Sequence, residues 1–280
     1  MSEIIISRPE EFEEKKKKII QNGFSNFHIL ADFDLTLTKA FVDGQKSHSV
    51  IAQLRDGNYL SPDYASQAHA LFDKYHPIEI NPTISAKEKA KKMEEWWITH
   101  FKLLVECGLE KKVIEDVVNK KDILFRGGAF EFLDILYKYH IPLVIISSSG
   151  LGEAIPMYFE KKSKLYDNIH IISNRFEFDE SGKVVGVKEP VIHVMNKSEV
   201  SVKGLPIYNE LLKRKNVLLL GDSLGDLGMI EGFDYNNLIS VGFLNENINA
   251  NLERYKKNFD VVITDDGDFY WINNFLREFN

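Results

Sequence analysis

The chain has 280 residues, 44% of them hydrophobic, enough for one large domain or two modest ones around a real core. Its 35 basic and 42 acidic residues give a net charge of −7, which excludes broad binding to a nucleic acid polymer or an anionic membrane but leaves room for a local basic pocket. The single cysteine, Cys107, excludes an internal disulfide, and no apolar run is long enough to cross a bilayer.

Residues 2–7 carry neither the basic start nor the long apolar stretch of a secretion signal, so the cytosol is the expected location. Arg8-Pro9-Glu10-Glu11-Phe12 opens a helix, with Ser7 as its expected cap and acids in the first turn where the dipole favours them. Lys15 to Lys18 read as a solvated helix face. Asn22-Gly23 stops the helix, and the short apolar run Phe27–Ala31 reads as a buried strand. That strand runs into Asp32 and Asp34. Alternate side chains of a strand share a face, so both carboxylates emerge together, with Thr36 and Thr38 close by. Adjacent carboxylates repel unless a cation or a shared proton relieves them; taken alone, the pair reads equally as turn formers.

From about residue 40 to 125 the pattern is helical. Val42-Asp43-Gly44-Gln45 is a turn, and Ser61-Pro62-Asp63 starts a helix to about Tyr75. His76-Pro77-Ile78-Glu79-Ile80-Asn81-Pro82 is bracketed by prolines and expected to be extended. Ser85-Ala86-Lys87-Glu88 resembles a capping box that leads a long helix carrying Met93, Trp96, Trp97 and Phe101. Adjacent tryptophans cannot share one helix face, so one is core and the other available. Leu109–Val118 makes another helix around the expected packing of Cys107.

After residue 126 strands and helices alternate. Phe130–Tyr139 is a helix and Ile141–Ile146 a strand that ends in Ser147-Ser148-Ser149-Gly150-Leu151-Gly152-Glu153. Ile169–Ser173 is a strand, and Phe176–Val187 a hairpin turning on Glu180-Ser181-Gly182. A helix near Leu205–Lys213 leads to the strand Val217–Leu220, which ends in Gly221-Asp222-Ser223-Leu224-Gly225-Asp226. Leu238–Phe243 and Phe259–Thr264 are the last strands, before a helix with Trp271 and Phe275. This alternation predicts an α/β fold, a doubly wound and mainly parallel sheet. The expected division is a core of residues 1–40 and 126–280 with a helical cap, residues 41–125, on two short hinges.

Ligands of such sheets sit beyond the carboxyl ends of the strands. Three strands end in polar groups: Asp32/Asp34, Ser147–Ser149 and Asp222/Asp226. If those strands are neighbours, several carboxylates converge and need a cation. Oxygen-only donors favour Mg²⁺ over zinc or copper. A carboxylate nucleophile, hydroxyls, a lysine such as Lys197 and a hard metal suit phosphoryl transfer.

Asp32-Phe33-Asp34-Leu35-Thr36 and Gly221-Asp222-Ser223-Leu224-Gly225-Asp226 resemble the first and fourth motifs of the haloacid dehalogenase-like phosphatases. Tyr75–Pro82, Met93–Trp97 and Ile192-His193-Val194-Met195-Asn196-Lys197 narrow the resemblance to the cytosolic 5'-nucleotidase III family, the pyrimidine 5'-nucleotidases. The resemblance implies Mg²⁺-dependent hydrolysis of nucleoside 5'-monophosphates through an aspartyl-phosphate, by a cytoplasmic monomer. It implies Asp32 as nucleophile, Asp34 as general acid/base, and Asp32, Asp222 and the Asp34 carbonyl as metal ligands. Lys197 and the serines would bind phosphate, Glu79 and Trp97 the base, and Asp226 would support the metal or cap a helix. Counting back from Lys197 favours Ser148 as the phosphate hydroxyl, and counting forward from Gly128 favours Ser147. A second stacking aromatic near Val50–Ile51 is absent, with His48 close by, so the choice between CMP/UMP and 7-methyl-GMP stays open. Phosphotransferase activity, a phosphatase for another small phosphomonoester and a non-catalytic interaction protein on the same scaffold are the alternatives.

Overall fold

The computed structural model describes residues 2–81, 83–120, 123–197, 202, 206–231 and 234–279. Its main sheet contains β1 (Ile4–Ile6), β2 (Phe27–Ala31), β5 (Leu143–Ser147), β6 (Ile169–Ser173), β9 (Asn216–Gly221), β10 (Asn237–Leu244) and β11 (Val261–Thr264). The spatial order is β1-β11-β10-β9-β2-β5-β6, parallel throughout except for β1, which is antiparallel to β11. Strands β2, β5 and β9 are buried along their whole length, which follows from a parallel sheet covered on both faces.

Alternation within each strand divides the core. Ile29, Ile145 and Leu218 pack with α1 (Pro9–Asn22), α6 (Ala129–Lys138), α7 (Ala154–Lys161) and α10 (Tyr270–Arg277). Leu30, Val144 and Leu219 pack on the other face with α8 (Tyr208–Leu211) and α9 (Ile248–Asn258). This is the expected doubly wound α/β architecture. Among the described residues no helix is long and apolar enough to cross a membrane.

Between β2 and α6 the chain makes a small hairpin, β3 (Phe41–Val42) and β4 (Gln45–Lys46), and four helices. These are α2 (Val50–Asp56), α3 (Pro62–Ile80), α4 (Ala86–Glu106) and α5 (Lys111–Lys120). The chain segments that enter and leave this insertion meet each other. Thr38 and Phe125 form an antiparallel bridge, Lys39 N donates to the Leu124 carbonyl at 2.8 Å, and Arg126 N donates to the Leu37 carbonyl at 3.1 Å. The Ser85 hydroxyl caps α4 by accepting from Glu88 N, and Trp96 is core while Trp97 is half-buried, both as expected. The hairpin on Glu180-Ser181-Gly182 is also present, as β7 (Phe176–Phe178) and β8 (Val184–Val187).

Several expectations are corrected. Glu79 lies in a helix, not an extended segment: α3 continues through Pro77 to Ile80. Proline's fixed φ is helical, and packing of Tyr75 and Ile78 against Met93 and Trp96 outweighs the lost backbone bond. Pro82 lies outside the described residues. Ser7 does not cap α1; the cap position is Arg8, without a side-chain bond. The basic run is partly as expected: Lys17 and Lys18 are exposed, whereas Lys15 pairs with Asp260 at 2.6 Å and Lys16 with Glu278 at 2.8 Å. The helix expected over Leu205–Lys213 is the single turn α8, and Leu205 lies outside the described residues. Strand β1 and helix α9 were not anticipated. Each is short of buried apolar positions: β1 has none fully buried, and α9 rests on partly buried Ile248, Leu252 and Tyr255.

Candidate active site

Register brings the polar strand ends together. Ala31, the last residue of β2, pairs with Leu220 on one side and Ile145 on the other. The next residue, Asp32, therefore stands between Asp222, just after β9, and Ser147, the end of β5. Asp32, Asp222 and Asp226 can each offer an oxygen such that all three lie within 4.8 Å of one another. At an effective dielectric near 20, each such ionised pair repels by at least about 3 kcal/mol.

One lysine faces this cluster. Lys197 is buried, and its Nζ pairs with Asp32 Oδ1 and with Asp226 Oδ1, the latter at 3.0 Å. Burial opposes its charge, but Asp226 and Asp32 outweigh burial and hold the ammonium above its ordinary range. Burial pushes Asp32 up to about 7 against the pull of Lys197, with Asp226 adding to the rise. Burial also pushes Asp222 well above the usual carboxylate range, reinforced by Asp226 and Asp32. A lone ammonium does not neutralise this group of acids. Asp32 and Asp226 are buried and Asp222 half-buried, and this oxygen-only set is of the kind that suits a hard divalent cation. Asp226 has another task as well: its Oδ2 accepts from Ser223 N at 2.9 Å and from the Ser223 hydroxyl at 3.0 Å, capping the 3-10 turn Leu224–Ile230.

Asp34 sits apart from that cluster. It is half-buried, and burial raises it to about 6, against Lys197 and a hydrogen bond from the Val50 amide at the start of α2. The same α2 therefore touches the loop after β2. That loop carries Leu35 at φ +60°, an uncommon backbone state for leucine. Arg126 holds it there. Its buried guanidinium donates to the carbonyls of Leu35, Thr36 and Gly267 and pairs with Asp266 at 3.0 Å.

The serine turn separates the three hydroxyls. Ser147 is buried and its Oγ accepts from Ser149 N at 3.1 Å, while Ser149 is buried with its Oγ near Leu151 N. Ser148 is the partly exposed one of the three. Asn174, buried just past β6, fastens this turn to the Lys197 segment. Its Nδ2 donates to the carbonyls of Ser149 at 3.2 Å and Ile192 at 2.9 Å, and its Oδ1 accepts from Ile192 N at 2.7 Å.

Above the strand ends lies a cavity of about 510 Å³, roofed by the helical insertion. Of the residues singled out from the sequence, Asp32, Asp34, Asp222 and Lys197 line its floor together with Ser147, Ser148 and Ser149. Glu79 and Trp97 line it from the insertion, as does His48, whereas Asp226 stands behind Lys197. No aromatic occupies 50–51; Ile51 lines the cavity there. Trp97 lies parallel to His100 at 5.8 Å, and His100 is kept neutral by burial, near 4. Sequence reasoning missed Arg55, Phe72, His76 and His100 in the walls, and Arg126 and Asn174 behind them. Spacing gave no signal for Arg55, His100, Arg126 or Asn174, which act across helices or strands, whereas Phe72 and His76 lie at helical spacing from Glu79 on α3, a helix that the proline-bracketed reading did not anticipate. His193 is buried and serves its own turn, where Nδ1 accepts from Met195 N at 3.2 Å. Cys107 is half-buried at the end of α4.

Comparisons with known proteins agree with this architecture. Residues 35–280 match the family described as Pyrimidine 5'-nucleotidase (UMPH-1). The chain is 32% identical over 280 residues to a 7-methylguanosine phosphate-specific 5'-nucleotidase of Gallus gallus, covering 99% of this chain and 96% of the relative. It is 31% identical over 275 residues to the Homo sapiens protein of the same name, covering 98% and 91%. The crystal structure of cytosolic 5'-nucleotidase IIIB bound to cytidine superposes with a TM-score of 0.90 at 26% identity, covering 99% of this chain and 93% of that one. A phosphoserine phosphatase, at 18% identity and TM-score 0.53, shares the fold. The chain belongs to the pyrimidine 5'-nucleotidase family, phosphomonoester hydrolases built on the haloacid dehalogenase-like fold.

Proposed function

We propose that the chain hydrolyses nucleoside 5'-monophosphates bearing a pyrimidine or 7-methylguanine base, with Asp32 as nucleophile and Asp34 as general acid/base. The observation that carries this reading is the convergence of Asp32, Asp222, Lys197 and the serine turn beneath one cavity. An Asp32 oxygen attacks phosphorus, the bond from phosphorus to the 5' oxygen breaks, and Asp34 supplies the proton that the departing nucleoside oxygen needs. Water then attacks the aspartyl-phosphate, Asp34 takes its proton, and phosphate leaves Asp32 as a carboxylate. Asp34 raised to about 6 by burial suits a group that must both give and take a proton near neutrality.

Mg²⁺ is the cation this reading assigns to the site: Asp32, Asp222 and the Asp34 carbonyl would hold it, and it would supply neutralisation of the phosphate charge. Lys197 offsets the remaining charge. Ser148, the accessible hydroxyl, binds a phosphate oxygen, while Ser147 and Ser149 shape the turn that presents it. Glu79 and Trp97 meet the base. Residues 41–125 act as the cap over a core of 1–40 and 126–280, and closure excludes water. A cytoplasmic location belongs to the same reading, supported by relatives named cytosolic, and so does a monomer.

The test is release of inorganic phosphate from a panel of CMP, UMP, 7-methyl-GMP, AMP and ribose 5-phosphate, with and without chelator. Turnover is expected for CMP, UMP or 7-methyl-GMP only, and chelator should stop it. Asp32→Asn should lose activity by at least about a thousandfold while keeping its thermal transition. Wild-type-like turnover in that variant would sink the mechanism, and equal turnover of ribose 5-phosphate would remove the base from the specificity.

A further inference from the structure

Glu79 is held from two sides. Its backbone carbonyl accepts from Lys89 Nζ at 2.8 Å, which pins the last turn of α3 to the start of α4. Its side chain meets His76, one turn earlier on α3, with Nδ1 at 3.0 Å from Oε2. An ionised carboxylate only accepts, so His76 Nδ1 carries the proton and donates it. The second oxygen, Oε1, has no hydrogen bond among the described residues, and Glu79 lines the cavity.

The imidazole is itself fixed. Phe72 stacks on it with ring centroids 4.6 Å apart and planes 17° from parallel. The Arg55 guanidinium of α2 lies 5.1 Å from the centre of the Phe72 ring. Phe72 also packs edge-on against Trp96 of α4. Arg55, Phe72, His76 and Glu79 thus make one continuous cavity wall drawn from two helices. A free glutamate side chain has three rotatable bonds, and ordering it on binding costs of order 1–2 kcal/mol. In this wall much of that ordering precedes the ligand.

We propose that His76 is a positioning residue for base recognition: with Phe72 behind it, it locks the Glu79 carboxylate so that one oxygen meets a base bearing an N–H donor edge. The ligand class is a nucleobase with an amino or ring N–H group, as cytosine and 7-methylguanine have. This rests on the reading of Glu79 as the base contact. His76 touches neither phosphate nor the reacting atoms, so its effect falls on binding of the base and not on chemistry.

The experiment compares the wild type, His76→Leu, His76→Asn and Glu79→Gln. Leucine keeps bulk but removes the donor; asparagine places an N–H near the position of Nδ1. Readouts are KM and kcat for CMP and 7-methyl-GMP, and the inhibition constant of ribose 5-phosphate, which carries sugar and phosphate but no base. Loss of one hydrogen bond to a charged group corresponds to about tenfold. His76→Leu should raise KM for the better nucleotide about tenfold with kcat held, and leave ribose 5-phosphate unchanged. His76→Asn should recover most of that loss, which a merely structural role would not produce. A wild-type KM in His76→Leu overturns the proposal while Glu79→Gln still weakens nucleotide binding. Equal weakening of ribose 5-phosphate also overturns it, since the defect is then not at the base. A Glu79→Gln variant with wild-type KM overturns the reading of Glu79 and this proposal with it.

Discussion

Gly150 is where the helical insertion rests on the serine turn, and a single methyl there should hold the two apart. A Cβ built on Gly150 would lie 2.6 Å from Trp97 Cζ3, 3.0 Å from Trp97 Cη2 and 3.1 Å from Ile51 Cγ1. Carbon atoms in contact prefer roughly 3.5–4.0 Å, so the ring must retreat by about 1 Å. Trp97 belongs to α4 and Ile51 to α2, so the displacement is imposed on two helices together. Overpacking of this kind costs about 1–3 kcal/mol. If the insertion lifts instead of straining, that energy is charged against the closed arrangement alone, which lowers kcat/KM by roughly 5- to 150-fold. Steady-state kinetics of Gly150→Ala on CMP or 7-methyl-GMP, with a thermal melt beside them, measure both terms. The expected result is a large fall in kcat/KM and a melting temperature within a few degrees of the wild type. A variant with wild-type kinetics would refute the reasoning, as would one that loses stability in proportion to activity.

The serine turn gives a second contrast. Ser148→Ala should raise KM and the inhibition constant of phosphate about tenfold with little change in stability, whereas Ser147→Ala should cost about 1 kcal/mol of stability by releasing the Ser149 amide, read by urea titration. The acid cluster predicts how metal and pH interact. Burial raises Asp32 from 3.8 to about 7, so without metal the native state holds a proton the unfolded chain has lost between those values. For this group, stability is present below about 4 and falls as pH rises through about 7. A divalent cation replaces that proton, so the gain in melting temperature from Mg²⁺ should be larger at pH 8 than at pH 5. An equal gain at both pH values would show that Asp32 is not a ligand.

The strand ends were legible in the sequence because a buried parallel strand is a short apolar run, and the polar residues that stop it stand out. Phe27–Ala31 into Asp32 and Val217–Leu220 into Asp222 both follow this pattern. What the pattern lacks is strand order, and order decides whether Asp32 and Asp222 meet at all. The helical insertion was legible as a block, but its Glu79 turn was misread: a rule about single prolines was outweighed by packing of neighbouring residues on Trp96 and Met93. Arg126 and Asn174 stayed invisible for a different reason. Each is a buried polar residue whose partners are carbonyls and amides from distant segments, and a one-dimensional pattern carries no mark of them. His76 was quoted only as part of a motif, since its stacking on Phe72 needs the helix that the prolines seemed to forbid.

The backbone bridge between Thr38 and Phe125 sets the path of the chain in a further way. Because the insertion departs and returns through neighbouring backbone, its two ends are already close, and the sheet beneath keeps its order whatever the intervening length. On the proposed reading the helical insertion is a replaceable cassette, joined at its base by the Thr38–Phe125 bridge, with Arg126 bonded to the Leu35 and Thr36 carbonyls on the core side. A chimaera that exchanges residues 41–125 between relatives should keep the chemistry of the recipient and adopt the base preference of the donor.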